Sequence, residues 1–261
     1  MSLHSKRYGL IAGALTLLAC GGEGTSPREV LTPVDPGTGA GAGTGAAGAG
    51  TGGGWQPPAE LEAGTPVAVH GQLQVQGGAL VDQSGAPVQL KGVSTMWLNW
   101  EQSYATSKEA LRWLRDNWGL SVIRAAMGVE PSGAYLTNSA QMANNVRSVV
   151  RNAIELGVYV IIDWHDHTAE AHREQAIQYF TEAAREFGGF PNVFYETYNE
   201  PVRVSWSDVV KPYHEAVSAA IRERDPDNVI IMGTPVWSQA VNQAADDPVV
   251  GTNLMYTVHF Y

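Results

Sequence analysis

The sequence has little cysteine, little clustered positive charge and no long apolar run. Cys20 is the only cysteine in 261 residues, so the chain cannot form an internal disulfide and must rely on its core for stability. The 16 Lys and Arg residues are outnumbered by 26 Asp and Glu, for a formal net charge of −10, and they form no basic block. Nucleic acid is excluded on that ground, because phosphate binding draws on clustered cations. An acidic chain with eight tryptophans suits a neutral polymeric partner. The longest apolar run, Leu10 to Ala19, falls short of the roughly 20 residues that span a bilayer. No glycine-rich phosphate loop follows the first strand pattern, which argues against a nucleotide-binding sheet.

At the N-terminus, Lys6 and Arg7 precede the apolar run, which ends Leu17-Leu18-Ala19-Cys20-Gly21. Residues 1–20 resemble a bacterial lipoprotein signal, with Cys20 as the lipidated residue; the alternative is an ordinary signal peptide with an incidental cysteine. Either places the protein outside the cytoplasm, secreted or on the outer surface. The lipoprotein reading limits membrane contact to an acyl anchor. Residues 21–65 are rich in Gly, Ala, Thr and Pro and read as a flexible linker.

Folded sequence is expected over 66–261. Leu73, Val75, Leu80 and Val81 with the turn residues Asp82 to Gly85 predict a hairpin. Strand patterns then alternate with helix patterns. Strands are expected at Val88–Val93, Ser121–Met127, Val158–Asp163, Asn192–Tyr198, Asn228–Gly233 and Leu254–His259. Helices are expected at Lys108–Trp118, Met142–Leu156, Glu170–Phe187 and Asp208–Arg224, with a shorter one from Ser238. Runs such as Tyr159 to Ile162, apolar throughout, belong to strands buried on both faces, and the alternation implies an α/β fold with a parallel sheet. An open doubly wound sheet and a (β/α)8 TIM barrel compete. Polar and aromatic residues gather at the C-terminal ends of the strands, where barrel active sites are built, and this favours the barrel. About six of its eight βα units are recognisable, so an incomplete barrel with an N-terminal β-hairpin is expected.

The strand ends carry Arg124, His165, Asn199, Glu200, His259 and Tyr261. In a barrel these converge on one cleft. Taken singly, Arg124 reads as a buried ion-pair partner, His165 and His259 as hydrogen-bonded core histidines and Glu200 as a solvated carboxylate. Their recurrence at successive strand ends points instead to chemistry. A carboxylic acid beside a cation and an amide is suited to glycoside hydrolysis, which needs an acid on the leaving oxygen and a second carboxylate.

Asn192 to Pro201, ending Tyr198-Asn199-Glu200-Pro201, resembles the Asn-Glu-Pro signature of glycoside hydrolase family 5, the large cellulase family. The segments His70 to Gly92, Val122 to Met127, Ile161 to His165, Gly233 to Gln239 and His259 to Tyr261 resemble further segments of its bacterial endo-β-1,4-glucanases, in order. The resemblance implies a retaining enzyme that needs no cofactor, with Glu200 as acid/base and Asn199 on the sugar 2-hydroxyl. Arg124 and His259 would orient the carboxylates, and His165 and Tyr261 would line the subsite beside the scissile bond. The family's nucleophile is a Glu in a Glu-Trp-Gly-like motif on the seventh strand. No such motif is present, so the chain is expected to stop before it. Glu196, four residues before Glu200, would sit about 13 Å lower at roughly 3.3 Å per residue, against the roughly 5–5.5 Å of a retaining pair, and reads as a barrel-core carboxylate. Glu130 and Glu170 are weaker substitutes on rim loops.

Trp97, Trp100 and Trp237 follow strands and are candidate sugar-stacking platforms, whereas Trp113 and Trp118 in a helix pattern read as core. Asp163, His165, His167 and His172 are residue types that ligate metals, but no metal is expected. The leading expectation is a monomeric β-glucan hydrolase. A non-catalytic β-glucan-binding lipoprotein, a family 5 mannanase or xyloglucanase, and a metallohydrolase on Asp163, His165 and His167 are the alternatives.

Overall fold

The computed structural model describes residues 55–101 and 103–260; Cys20, Tyr261, the expected signal segment and most of the expected linker lie outside them. A short helix, α1 (Pro66–His70), leads into an antiparallel hairpin of β1 (Gln74–Gln76) and β2 (Ala79–Val81). Six parallel strands follow: β3 (Gly92–Ser94), β4 (Val122–Gly128), β5 (Tyr159–His165), β6 (Val193–Glu196), β7 (Ile230–Met232) and β8 (Leu254–Tyr256). The connections contain α2 (Lys108–Trp118), α3 (Tyr135–Leu156), α4 (Arg173–Phe187), α5 (Lys211–Arg222) and α6 (Val241–Asp246). Each strand pairs with its neighbours in chain order, β3 through β8. A doubly wound sheet reverses its order at a switch point; this one never does. The architecture is six strands of a (β/α)8 barrel.

Strand alternation sorts the sheet into two faces. On one face, Ile123, Met127, Val160, Ile162, Trp164 and Tyr195 are buried, and α3 packs on β4 and β5. Trp164 lies 5.0 Å from Tyr135 of α3 and 6.3 Å from Phe180 of α4 between ring centroids. The other face grades from apolar to polar along the strands. Val122, Tyr159, Ile161, Phe194, Val229 and Ile231 form its lower layer, and Val67 of α1, Leu73 and Leu90 pack against them. The Tyr159 hydroxyl donates to the Gly71 carbonyl at 2.6 Å and ties this closure to β5. One step up come Arg124, Asp163 and Glu196, the last two adjacent in register. The functional groups lie above them, so the apolar layer makes a dry floor.

Local signals account for the helix ends. Ser107 caps α2, its hydroxyl accepting from the Ala110 N–H at 3.2 Å. At Gly157, which ends α3 with φ 64°, a Cβ would meet Thr65 Oγ1 at 2.3 Å. The folded part starts earlier than expected: Leu61 packs on the core, Thr65 is buried and Glu62 pairs with Arg115 at 2.9 Å.

Several expectations are corrected. Trp113 and Trp118 are not core but 52% and 68% exposed, edge-on to each other with centroids 5.7 Å apart; Leu111 is the buried residue of α2. The hairpin turns at Gly77-Gly78, both with positive φ, while Asp82 to Gly85 forms a separate turn around the Asp82 carboxylate. Val88 extends the hairpin by donating to Leu80 O, so the first parallel strand begins only at Gly92. Helix α3 starts at Tyr135, before the expected Met142, with a kink at Asn138. The shorter helix expected from Ser238 starts instead at Val241, and the segment from Pro235 to Ser238 before it is a single turn with left-handed backbone at Val236 to Ser238.

Candidate active site

Arg124 organises the polar layer. Its Nε donates to Glu196 Oε2 at 2.6 Å and its Nη2 to Glu196 Oε1 at 3.0 Å. Nη2 also reaches Asn199 Oδ1 at 2.8 Å and Asp163 Oδ2 at 2.8 Å. Nη1 donates to Ser94 Oγ at 3.2 Å. Arg124, Asp163 and Glu196 are all buried. Burial opposes the charge on Arg124, but Asp163 and Glu196 outweigh it and raise its pKa above the ordinary guanidinium range. Burial raises both carboxyls despite that cation, Asp163 to about 7.

His165 sits on this cluster, with Nδ1 2.6 Å from Asp163 Oδ2 and 3.3 Å from Arg124 Nη1. Burial and the nearby Arg124 hold its pKa well below the usual value, so it is neutral near pH 7. Nδ1 faces both the Asp163 carboxyl and the Arg124 guanidinium; in the tautomer with its proton on Nδ1 the ring donates to Asp163 and keeps Nε2 as an acceptor.

Glu200 lies beyond the end of β6. The backbone of this segment continues to bond to the neighbouring strand, with Asn199 N–H to Trp164 O at 3.3 Å and Glu200 N–H to Asp166 O at 3.4 Å. Histidines meet both carboxylate oxygens: His259 Nδ1 lies 2.6 Å from Oε1 and His167 Nε2 3.3 Å from Oε2. The Glu200 contact raises the His167 pKa against the opposing effect of burial. The loop carrying His167 is anchored from behind by the buried Tyr198, whose hydroxyl donates to the Glu170 carboxylate at 2.5 Å and lies 3.0 Å from the His167 carbonyl.

The structure therefore brings together Arg124, His165, Asn199, Glu200 and His259, all expected from strand ends. It adds Asp163, Glu196 and His167 as their direct partners. The sequence signal for His167 is the Asp163-Trp164-His165-Asp166-His167 run, which stands out only for its metal-ligating residue types, with no metal expected, and does not mark a partner of Glu200. His165 is instead paired with Asp163, and His167 with Glu200. Among the described residues, the group placed to hold a cation is Glu130, Asp166 and His172, whose ligand atoms lie within 4.8 Å of one another. Asp166 already accepts from Trp164 Nε1, Thr168 N–H and His172 Nδ1, so it serves the loop that carries His167.

Trp97 stacks on Trp100 with centroids 4.7 Å apart and 6° between planes, and lies 4.5 Å from the His165 ring and 5.8 Å from the His167 ring. Trp100 is 57% exposed. Trp237 is half-buried in the turn after β7, with its backbone N–H donating to Pro201 O at 2.9 Å.

Residues 81–261 match the family model Cellulase (glycosyl hydrolase family 5). The chain belongs to that family. It is 45% identical over 201 residues to Endoglucanase N of Pectobacterium atrosepticum, an alignment covering 76% of this chain and 45% of that protein. It is 49% identical over 172 residues to Endoglucanase Z of Dickeya dadantii, covering 65% and 40% respectively. Among solved structures, the catalytic domain of Thermobifida fusca endoglucanase Cel5A superposes with a TM-score of 0.72 at 36% identity, covering 76% of this chain and 67% of that one. That enzyme has also been solved as its E355Q variant with cellotetraose. This chain thus spans less than half the length of these curated family 5 relatives.

Proposed function

We propose that this chain carries the acid/base side of a retaining endo-β-1,4-glucanase, and that the protein acts outside the cytoplasm as a monomer. The observation that carries the reading is the Glu200 carboxylate at the end of β6, with His259 on one oxygen and His167 on the other. Glu200 in its acid form gives its proton to the glycosidic oxygen as the bond to the leaving sugar breaks. As a carboxylate it then takes a proton from the water that releases the glycone. His259 and His167 hold the carboxylate in place through both steps. Arg124 occupies Asn199 Oδ1, so the amide nitrogen of Asn199 is the atom presented to the sugar 2-hydroxyl. The second carboxylate, about 5–5.5 Å away in retaining enzymes, is assigned by the family resemblance to a seventh strand.

Trp100 and Trp237 supply aromatic faces for sugar rings, and Trp97 backs Trp100. The family resemblance assigns Tyr261, which lies outside the described residues, and His165 to the subsite beside the scissile bond. In this layout residues 1–20 are a lipoprotein-type signal with Cys20 as the lipid attachment point, and a linker joins it to the barrel. The deciding experiment is turnover of soluble β-1,4-glucan by the full-length protein and by its Glu200→Gln variant. The variant is expected to lose about 10²–10⁴-fold in kcat. Undiminished turnover would overturn the assignment of Glu200. Affinity for cello-oligosaccharides without products from the unmodified protein would make it a binding module instead.

A further inference from the structure

Val236, Trp237 and Ser238 have φ of 60°, 54° and 57°, three consecutive non-glycine residues in left-handed backbone. This conformation is disfavoured for any L-residue and most of all for a β-branched one such as Val236, and it persists only where its surroundings enforce it. Ser238 N–H closes the turn on Thr234 O at 2.8 Å, and the contacts that leave the turn run to the two sides of the Glu200–His259 pair. Val236 N–H donates to Val202 O at 2.8 Å and Trp237 N–H to Pro201 O at 2.9 Å, just after Glu200. The Ser238 hydroxyl donates to Asn199 O at 2.8 Å, just before Glu200, and accepts from Thr234 N–H at 3.2 Å. The Ser238 carbonyl accepts the His259 N–H at 2.9 Å. Ser238 is fully buried. Close approach of the two segments also demands Gly233, where a Cβ would lie 2.2 Å from Tyr198 O.

We infer that Ser238, held in this left-handed turn, is a positioning residue that sets the Glu200 carboxylate against His259; the inference rests on Glu200 being the acid/base. One residue bonds the main chain before Glu200 through its side chain and the main chain of His259 through its carbonyl. The 2.6 Å contact between Glu200 Oε1 and His259 Nδ1 is therefore referenced to a common point. A right-handed turn would aim the same N–H groups away from Pro201 and Val202.

The test compares two substrates in the full-length protein. Cleaving a cello-oligosaccharide needs a proton on a poor leaving group, whereas an aryl cellobioside with a dinitrophenolate leaving group needs none to form the glycosyl-enzyme. Ser238→Ala is expected to lower kcat/KM on cellotetraose by tenfold or more, while changing it less than twofold on the aryl substrate. Ser238→Gly relieves the backbone but lacks the hydroxyl, and should show the same split. If Ser238→Ala does not fold, Ser238→Cys, a weaker donor of similar shape, should show a smaller version of it. Equal losses on both substrates, no loss on either, or normal cellotetraose cleavage by Ser238→Gly would each overturn the inference. Glu200→Gln is the control: if it keeps cellotetraose turnover, the acid/base reading itself fails, whereas a dead Glu200→Gln with an unaffected Ser238→Ala fails the positioning role alone.

Discussion

Arg124 grips Glu196 through two parallel hydrogen bonds, 2.6 Å from Nε and 3.0 Å from Nη2. Both oxygens of Glu196 are thus committed to the guanidinium, below the level of Glu200. This is the geometry of a structural ion pair, and it explains why a second glutamate four residues from the proposed acid/base is not its catalytic partner. Arg124 keeps Asp163 at 2.8 Å when Glu196 is removed, so what is lost is a pair of charge-assisted hydrogen bonds rather than the only counter-ion, at a cost of about 1.5–3 kcal/mol. Glu196→Ala is therefore expected to lower unfolding stability by about that amount. It should also lower activity, because the same guanidinium places Asn199 at 2.8 Å. Denaturant unfolding of the full-length protein checks it, and a change under about 1 kcal/mol would show that the pair contributes little.

The two histidines on Glu200 differ in contact length and exposure. His259 lies 2.6 Å from Oε1 with a side chain 12% exposed; His167 lies 3.3 Å from Oε2 with a side chain 31% exposed. Both meet the same carboxylate, so length and exposure separate them: a short, shielded hydrogen bond to a charged group contributes about 1.5–3 kcal/mol, and the longer, more exposed contact is expected to contribute about 0.5–1.5. At about 1.4 kcal/mol per factor of ten, His259→Ala is expected to lower kcat on cello-oligosaccharide roughly 10- to 100-fold. His167→Ala should lower it roughly 2- to 10-fold. Measuring the two variants side by side tests the order, and a larger loss at His167 would invert the assignment of which contact holds the carboxylate.

Placement of β4 to β7 was legible because each is a short run buried on both faces, and such runs have few other uses. The strand-end site was legible for the same reason: Arg124, His165, Asn199 and Glu200 are polar residues where those runs end. The partners between strands were not. The Arg124–Glu196 pair depends on register between strands that are not neighbours in the sheet. His167 reaches Glu200 from a loop after β5 that is tied down by the Asp166 carboxylate, a folding of the loop with no sequence period. The left-handed turn at Val236 to Ser238 has no local signal at all, since glycine or asparagine usually marks such backbone and neither is present. Trp113 and Trp118 show the reverse error: apolar character and a helix pattern do not say which face of α2 meets the sheet.

His214 of α5 lies in the core, with Nε2 2.9 Å from Gly233 O and Nδ1 2.8 Å from Thr197 Oγ1. It links the helix to the segments on either side of the site. Burial lowers its pKa from 6.5 to about 4, so the folded protein keeps it neutral where the unfolded chain would protonate it. Between those values the unfolded state binds more protons, so stability rises with pH across the window and is lost as pH falls from 6.5 to about 4. The full effect of that shift is about 3 kcal/mol at 1.36 kcal/mol per pH unit. His214→Gln keeps a donor for Gly233 O and an acceptor for Thr197 but cannot titrate. Its unfolding free energy, followed by denaturant titration at a series of pH values, should depend less steeply on pH by about one proton across that window. Parallel pH dependence in the variant and the unmodified protein would mean that His214 is not held neutral by the fold.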